Sequence, residues 1–305
     1  MKDFIAISAC EVGELKELLA ESASLKKLYK GGGREACLAG KALVMLFEKP
    51  SLRTRMSFEV AMTDLGGSAI YVKPSDIGGM IGEREPVKDM ARVLSGYVDG
   101  IMARTFAHST VVELAQWASV PVINALTDWS HPCQAMADAL TIMECVGRLE
   151  EVRIAFIGDG NNVARSLAFA CAKLGMKLAV ASPKGYELDA GSISQANAMR
   201  AGCVEQRNKP SDAVRDADVI YTDTWVSMGQ EDEKERRCAD FAGYQVNGEL
   251  LARAPKGTRI MHCLPAYRGY EISDEAAESE NSIIFQQAEN RLHFQRALLK
   301  KLMRK

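Results

Sequence analysis

The chain has 305 residues, enough for two domains that each bury a core. Hydrophobic residues make up 47% and charged residues 26%, and 38 Lys+Arg against 40 Asp+Glu leave a net charge of −2. That balance gives no electrostatic footing for a nucleic acid or an anionic membrane, so neither is expected as a partner. No apolar run approaches the length of a membrane span, and the first residues show no apolar signal core, so a cytoplasmic location is expected. The 8 cysteines (10, 37, 133, 145, 171, 203, 238 and 263) form no CxxC pair and read as reduced, mostly small buried hydrophobes.

Leu15, Leu18, Leu19, Leu25 and Leu28 predict a helix over 12–29, stopped by Gly31-Gly32-Gly33. The apolar run Ala42 to Phe47 predicts a strand that Pro50 ends. Phe58, Ala61, Met62 and Leu65 then fall at i, i+3, i+4, i+7 of a helix closed by Gly66-Gly67. Further strands are predicted at 69–72, 98–103 and 121–123, with helices near 86–96 and 109–118. Residues 73–86 form a long, glycine-rich connection that reads either as a lid or contact arm or as a plain surface loop. A helix over 130–146, with Ala135, Met136, Ala139, Leu140 and Met143 apolar, leads to a second alternating set. Its strands are predicted at 152–157, 178–180, 218–221, 259–262 and 282–285, with a last helix from about 290 to 305.

This alternation predicts an α/β fold of two doubly wound parallel-sheet domains joined by interdomain helices, the C-terminal helix packing back on the first domain. The expected bounds are 1–130 with 290–305, and 131–289.

Several stretches bear chemistry. Ser51-Leu52-Arg53-Thr54-Arg55 opens a helix with two hydroxyls, two guanidiniums and no carboxylate. Free N–H groups and the positive end of the dipole favour an anion there, and arginine forks suit phosphate or carboxylate. The plain alternative is a serine N-cap before a solvated first turn.

Gly158-Asp159-Gly160-Asn161-Asn162 follows a strand, but Val163 replaces the third glycine of a dinucleotide fingerprint, and Ala181-Ser182-Pro183 offers no ribose acid, so NAD is not expected. Asn162 remains at a strand tip, able to hold a small zwitterion. Asp223, before Thr224-Trp225-Val226-Ser227-Met228-Gly229, is placed for a cationic amine or for a capping turn. His262 and Cys263 are adjacent in a strand, so they point to opposite faces and do not suggest a nucleophilic pair. Cys263 reads as a polar or acid–base group beside Asp223, or as a buried thiol. His131 and Gln134 lie one turn apart at a helix start, and Arg104 ends a strand on the same sheet edge. No His, Cys, Asp or Glu set has zinc spacing, so no metal is expected.

Taken together, Ser51–Arg55, His131–Gln134, Asp223 with Ser227-Met228-Gly229, and His262–Pro265 resemble the aspartate/ornithine carbamoyltransferase family, and within it the ornithine branch. The motifs run in order along nearly the whole chain. The resemblance implies carbamoyl transfer from carbamoyl phosphate to the δ-amine of L-ornithine, giving L-citrulline and phosphate within arginine metabolism. It implies that Ser51, Leu52 (through its N–H), Arg53, Thr54 and Arg291 hold the phosphate. Arg104, His131 and Gln134 would hold the carbamoyl group, and Cys263 and Leu264 would line the reaction centre. Asn162, Asp223, Ser227 and Met228 would bind ornithine. The catalytic set would be Arg104, His131, Asp223 and Cys263. No cofactor and no covalent enzyme intermediate is implied, and a homotrimer is.

In many relatives a polar residue stands just before an apolar-Gly pair in the long loop, which there reaches a neighbouring subunit's site. Here Met80 stands before Ile81-Gly82. Rival readings are a carbamoyltransferase for putrescine or an acylated ornithine, and a non-catalytic ligand-binding relative.

Overall fold

The computed structural model describes residues 1–227 and 229–304. The chain divides into two compact units, Met1–Leu140 with Glu289–Lys305, and Thr141–Ala288. The division falls inside the helix Pro132–Val146, ten residues beyond the boundary expected at 130.

The first unit holds four parallel strands, β1 (Ala42–Phe47), β2 (Ser68–Val72), β3 (Gly100–Arg104) and β4 (Val122–Leu126), in the order β2-β1-β3-β4. β1 and β3 are buried almost throughout rather than on alternate residues, as in a parallel sheet covered on both faces. On one face Val44, Leu46, Ile101, Ala103 and Val122 pack with Met90, Val111 and Leu114 of the helices Val87–Ser95 and His108–Trp117. The helix Leu52–Asp64 buries Phe58, Ala61 and Met62, the stripe expected from their spacing. The helix Ile284–Met303 adds Phe294, whose ring lies 5.7 Å from that of Phe4.

The second unit holds β5 (Arg153–Ile157), β6 (Lys177–Ala181), β7 (Val204–Arg207), β8 (Val219–Thr222) and β9 (Arg259–His262), all parallel, in the order β7-β6-β5-β8-β9. Ala155, Ile157, Ala181, Ile220 and Ile260 form one core with Val214, Val246 and Ile272. The alanine-rich helix Asn162–Leu174 buries nearly every residue, and Gly175 closes it at a φ of 86°.

The α/β class with parallel sheets is the one expected, and three local expectations are corrected. Residues 282–285 are not a strand: Ser282 makes an isolated bridge to Ile260, and the last helix already begins at Ile284 rather than near 290. The three-residue apolar run Ile283-Ile284-Phe285 fits the first turn of a helix as well as a strand. β7 was not expected, because the edge sequence Val204-Glu205-Gln206-Arg207 is mostly polar. The third strand starts at Gly100; before it the Asp99 N–H donates to the Ala42 carbonyl while its carboxylate accepts from the Ala42 N–H and Lys41. Among the described residues no helix is long and apolar enough to cross a membrane.

Both sheets contain a point where strand order reverses, between β1 and β3 in the first and between β5 and β8 in the second. Open α/β sheets bind ligands outside the carboxyl ends of strands at such points. The strand-tip motifs gather there.

Candidate functional site

In the first unit the chain leaves β1 and turns into the helix Leu52–Asp64 at Ser51. Ser51 is an N-cap, its Oγ accepting the Thr54 N–H at 3.3 Å, and the first turn holds no acid. Thr54 is buried, and its Oγ1 accepts from Arg291 Nη2 at 2.9 Å and from Arg104 Nη1 at 3.5 Å. Arg291 Nη1 also donates to Gln134 Oε1 at 3.2 Å, and Gln134 Nε2 donates to Asp138 Oδ1 at 2.8 Å. The last helix therefore brings Arg291 to a hydroxyl 237 positions earlier in the chain.

His131 is 4% exposed. Burial, then the charges of Arg291, Arg104 and Arg53, push its imidazole well below the usual value, so it stays neutral at physiological pH. A neutral ring donates one hydrogen bond without adding charge.

The arrangement concentrates Arg53, Arg104 and Arg291 beside a helix N-terminus, and the carboxylate in contact, Asp138, reaches it through Gln134. Crowded like charges, here one buried and two half-buried, are costly unless an anion joins them, so the chemistry that fits is a phosphate or carboxylate with an adjoining carbonyl. Leu52 stands 75% exposed at the same turn. Arg55 departs from the reading of paired arginines: its Nε donates to Glu59 at 2.8 Å and its guanidinium lies 4.1 Å from the Tyr71 ring centroid. Successive helix residues are about 100° apart, so Arg53 and Arg55 cannot share one ligand face. Cys133, inside the same motif as His131, is a structural thiol, its pKa pushed up to about 12 by burial.

In the second unit Asp223 follows β8 and is 6% exposed. Its Oδ1 accepts from the Thr224 N–H and from Cys263 Sγ, each at 2.8 Å, and its Oδ2 accepts from Asn161 Nδ2 at 2.8 Å. Asn161 is the N-cap of the helix Asn162–Leu174, its Oδ1 accepting the Val163 and Ala164 N–H groups. The expectation named Asn162; it occupies the first helical position, while its neighbour at the cap touches Asp223. The preference of asparagine for caps was the available signal. Gly160 is required, because a Cβ there would stand 2.2 Å from the Leu188 nitrogen. The Ser227 N–H donates to Gln230 Oε1 at 3.0 Å, and Met228 lies outside the described residues.

His262 is fully buried at the end of β9. Its Nδ1 accepts the Leu264 N–H at 2.8 Å, which leaves the ring proton on Nε2, 3.1 Å from Glu271 Oε1. Glu271 is fully buried, and sequence reading missed it because nothing local marks a carboxylate nine residues past a strand. The opposed-face expectation holds in part. The histidine ring serves Leu264 and Glu271, yet the strand ends there, the chain turns, and one donor atom each of Asp223, His262 and Cys263 lies within 4.8 Å of the others. Sequence spacing did not indicate this grouping, but the Leu264 N–H takes the imidazole lone pair and Glu271 its proton, so the ring has no ligand atom to offer a metal.

Residues 2–144 match the family model described as aspartate/ornithine carbamoyltransferase, carbamoyl-P binding domain, and residues 150–302 match its Asp/Orn binding domain. A protein of Methanosarcina acetivorans called ornithine carbamoyltransferase is 50% identical over 303 residues, covering 99% of this chain and 99% of its own. One of Bacillus subtilis with the same name is 49% identical over 307 residues, covering 100% of this chain and 94% of its own. The solved structure of ornithine carbamoyltransferase from Pyrococcus furiosus superposes with a TM-score of 0.96 at 47% identity, covering 99% of this chain and 97% of that one.

Proposed function

The chain belongs to the aspartate/ornithine carbamoyltransferase family, and from that premise we propose that it moves the carbamoyl group of carbamoyl phosphate onto the δ-amine of L-ornithine, giving L-citrulline and phosphate. The observation that carries the choice of acceptor is Asp223. A buried carboxylate at the tip of β8, bonded to Asn161 and Cys263, attracts a cationic amine and repels a dicarboxylate such as aspartate.

The residues divide the chemistry by charge. Ser51, the Leu52 N–H, Arg53, Thr54 and Arg291 hold the phosphate. Arg104, His131 and Gln134 hold the carbamoyl group, with Cys263 and Leu264 lining the reaction centre. Asn162, Asp223, Ser227 and Met228 bind ornithine, and Asn161 orients Asp223. The δ-amine has a lysine-like pKa of about 10 and must lose a proton before attack. Asp223 and Cys263 align the amine and assist that loss. The amine nitrogen bonds to the carbonyl carbon, and an oxyanion develops that Arg104 and neutral His131 stabilise. The carbon–oxygen bond to phosphate then breaks, and phosphate departs with the proton. The scheme needs no cofactor, no metal and no covalent enzyme intermediate.

A homotrimer in the cytoplasm completes the reading. Its support is family membership together with apolar side chains exposed on the first unit: Leu52 and Met56 on one helix, Ile70 on the edge strand β2, and Met80 in the long loop. That loop is anchored where the Ile81 N–H donates to Glu48 Oε1 at 3.1 Å.

The experiment is citrulline formation from carbamoyl phosphate and L-ornithine, with putrescine and L-aspartate as parallel acceptors. Citrulline is expected in clear excess over the other two products. A preference for putrescine would move the acceptor assignment, and no product with any acceptor would defeat the catalytic reading.

A further inference from the structure

Arg237 belongs to none of the substrate-holding sets above. It lies in the helix Lys234–Asp240, and its side chain is 7% exposed. A buried guanidinium keeps its charge, so its hydrogens need acceptors. Nη1 donates to Asp159 Oδ2 at 2.8 Å and to the Trp225 carbonyl at 2.9 Å. Nε donates to Glu233 Oε2 at 2.9 Å, and the guanidinium lies 4.9 Å from the Tyr186 ring centroid.

The two acceptors on Nη1 belong to the two segments that bear acceptor-site groups. Asp159 sits in the turn after β5, where its carbonyl accepts the Asn161 N–H at 2.7 Å, and Asn161 Nδ2 in turn holds Asp223. Trp225 lies between Asp223 and Ser227, its indole stacked on Phe241 with centroids 5.6 Å apart and planes 23° apart. One guanidinium nitrogen thus joins the Asn161 turn to the segment that follows Asp223.

We propose that Arg237 is a positioning residue for the amine acceptor: it sets the spacing between the 158–162 turn and the 223–227 segment, and so the aim of Asp223, without touching substrate. The inference rests on the ornithine reading above. A lysine at this position offers Asp159 and the Trp225 carbonyl a point charge, but lacks the planar fork whose Nε is fixed by Glu233 while Nη1 spans the two segments. The phosphate-holding residues lie in the first unit and share no bond with Arg237, so acceptor parameters move while donor parameters do not.

The test uses the full chain with Arg237→Met, Arg237→Lys and, as a control, Arg236→Met, whose exposed neighbour side chain pairs with Glu233 at 2.8 Å. Ornithine and carbamoyl phosphate are varied separately. Arg237→Met is expected to lower kcat/KM for ornithine by about ten- to a hundredfold, the scale of a small misplacement, with KM for carbamoyl phosphate within about twofold. Arg237→Lys falls between Met and wild type, and Arg236→Met matches wild type. In a Trp117→Phe, Trp129→Phe background, Trp225 emission shifts to the red in Arg237→Met.

An unchanged kcat/KM for ornithine overturns the proposal, and so does an equal loss for both substrates. If Arg237→Met does not fold, Arg237→Lys decides, and wild-type ornithine kinetics there overturn it. Failure of the wild type to make citrulline defeats the ornithine reading instead. The Trp225 emission then decides the positioning role, and an unshifted spectrum rejects it.

Discussion

The two units place their candidate site residues at the same topological point and fill it with opposite charge. At the β1/β3 reversal stand Arg53, Arg104 and Arg291 around Thr54 and a neutral His131. At the β5/β8 reversal stands Asp223, held by Asn161 and Cys263. Both reversals offer a strand tip followed by a helix N-terminus, which by itself prefers an anion. In the first unit the side chains reinforce that preference. In the second they oppose it, since the cap Asn161 spends its oxygen on the helix N–H groups and its amide on a carboxylate. The fold therefore supplies a location, and a few tip residues select the sign of the ligand.

The sharpest way to break this contrast is to remove a cation from the first site. Arg104→Met is expected to lower kcat about 10²- to 10³-fold, the scale of a lost oxyanion donor, or about 3–4 kcal/mol. Initial rates at saturating substrate check this, with the melting temperature confirming that the variant is folded. A loss below tenfold would remove Arg104 from the catalytic set.

The mirror-image change neutralises the second site. Asp223→Asn keeps the shape but loses the charge, and is expected to lower kcat/KM for ornithine by about 10²-fold or more, while KM for carbamoyl phosphate moves little. Equal changes in both parameters would mean that Asp223 acts on structure rather than on the amine.

The smallest effect concerns stability, and it separates positive charge near a ligand from positive charge in a core. His293, on the last helix, packs edge-on to Tyr29, and its pKa falls to about 4, chiefly through burial. His131 is lowered as well. Above the unfolded value of about 6.5 neither ring is charged in either state, so their neutral burial has no pH-dependent cost. As pH falls below that value the unfolded chain takes up protons that the folded one refuses, and stability is lost down to the folded pKa. Urea midpoints at pH 7 and pH 5 should therefore differ, and His293→Gln should shrink the difference. An undiminished difference would place its source elsewhere.

Much of the candidate site was legible because its members are close in sequence. Ser51 to Thr54, His131 with Gln134, and His262 with Cys263 each lie within one turn or one strand tip, where spacing controls direction. Partnerships between distant residues were hardly legible from local spacing, and Arg291 was set beside Ser51–Thr54 by the family resemblance alone. Arg291 meets Thr54 only because the last helix folds onto the first unit, and Glu271 meets His262 across a loop. Asn161 was not singled out, because a run of two asparagines leaves open by one residue which of them caps the helix. The same one-residue sensitivity misread 282–285, where Ile283 and Ile284 are apolar enough for either a strand or a first helical turn.

By itself, then, the sequence determined the alternation of strands and helices, the strand tips that bear polar residues, and the family. Each follows from local periodicity, turn chemistry and short motifs that need no partner to be read. Only the tertiary structure decided which guanidiniums crowd His131, that Arg55 turns away to Glu59, that Asn161 bonds Asp223, and that Arg237 joins two loops. Those outcomes depend on burial and on contacts between residues far apart in the chain. A buried charge must find its partners wherever the packed chain brings them.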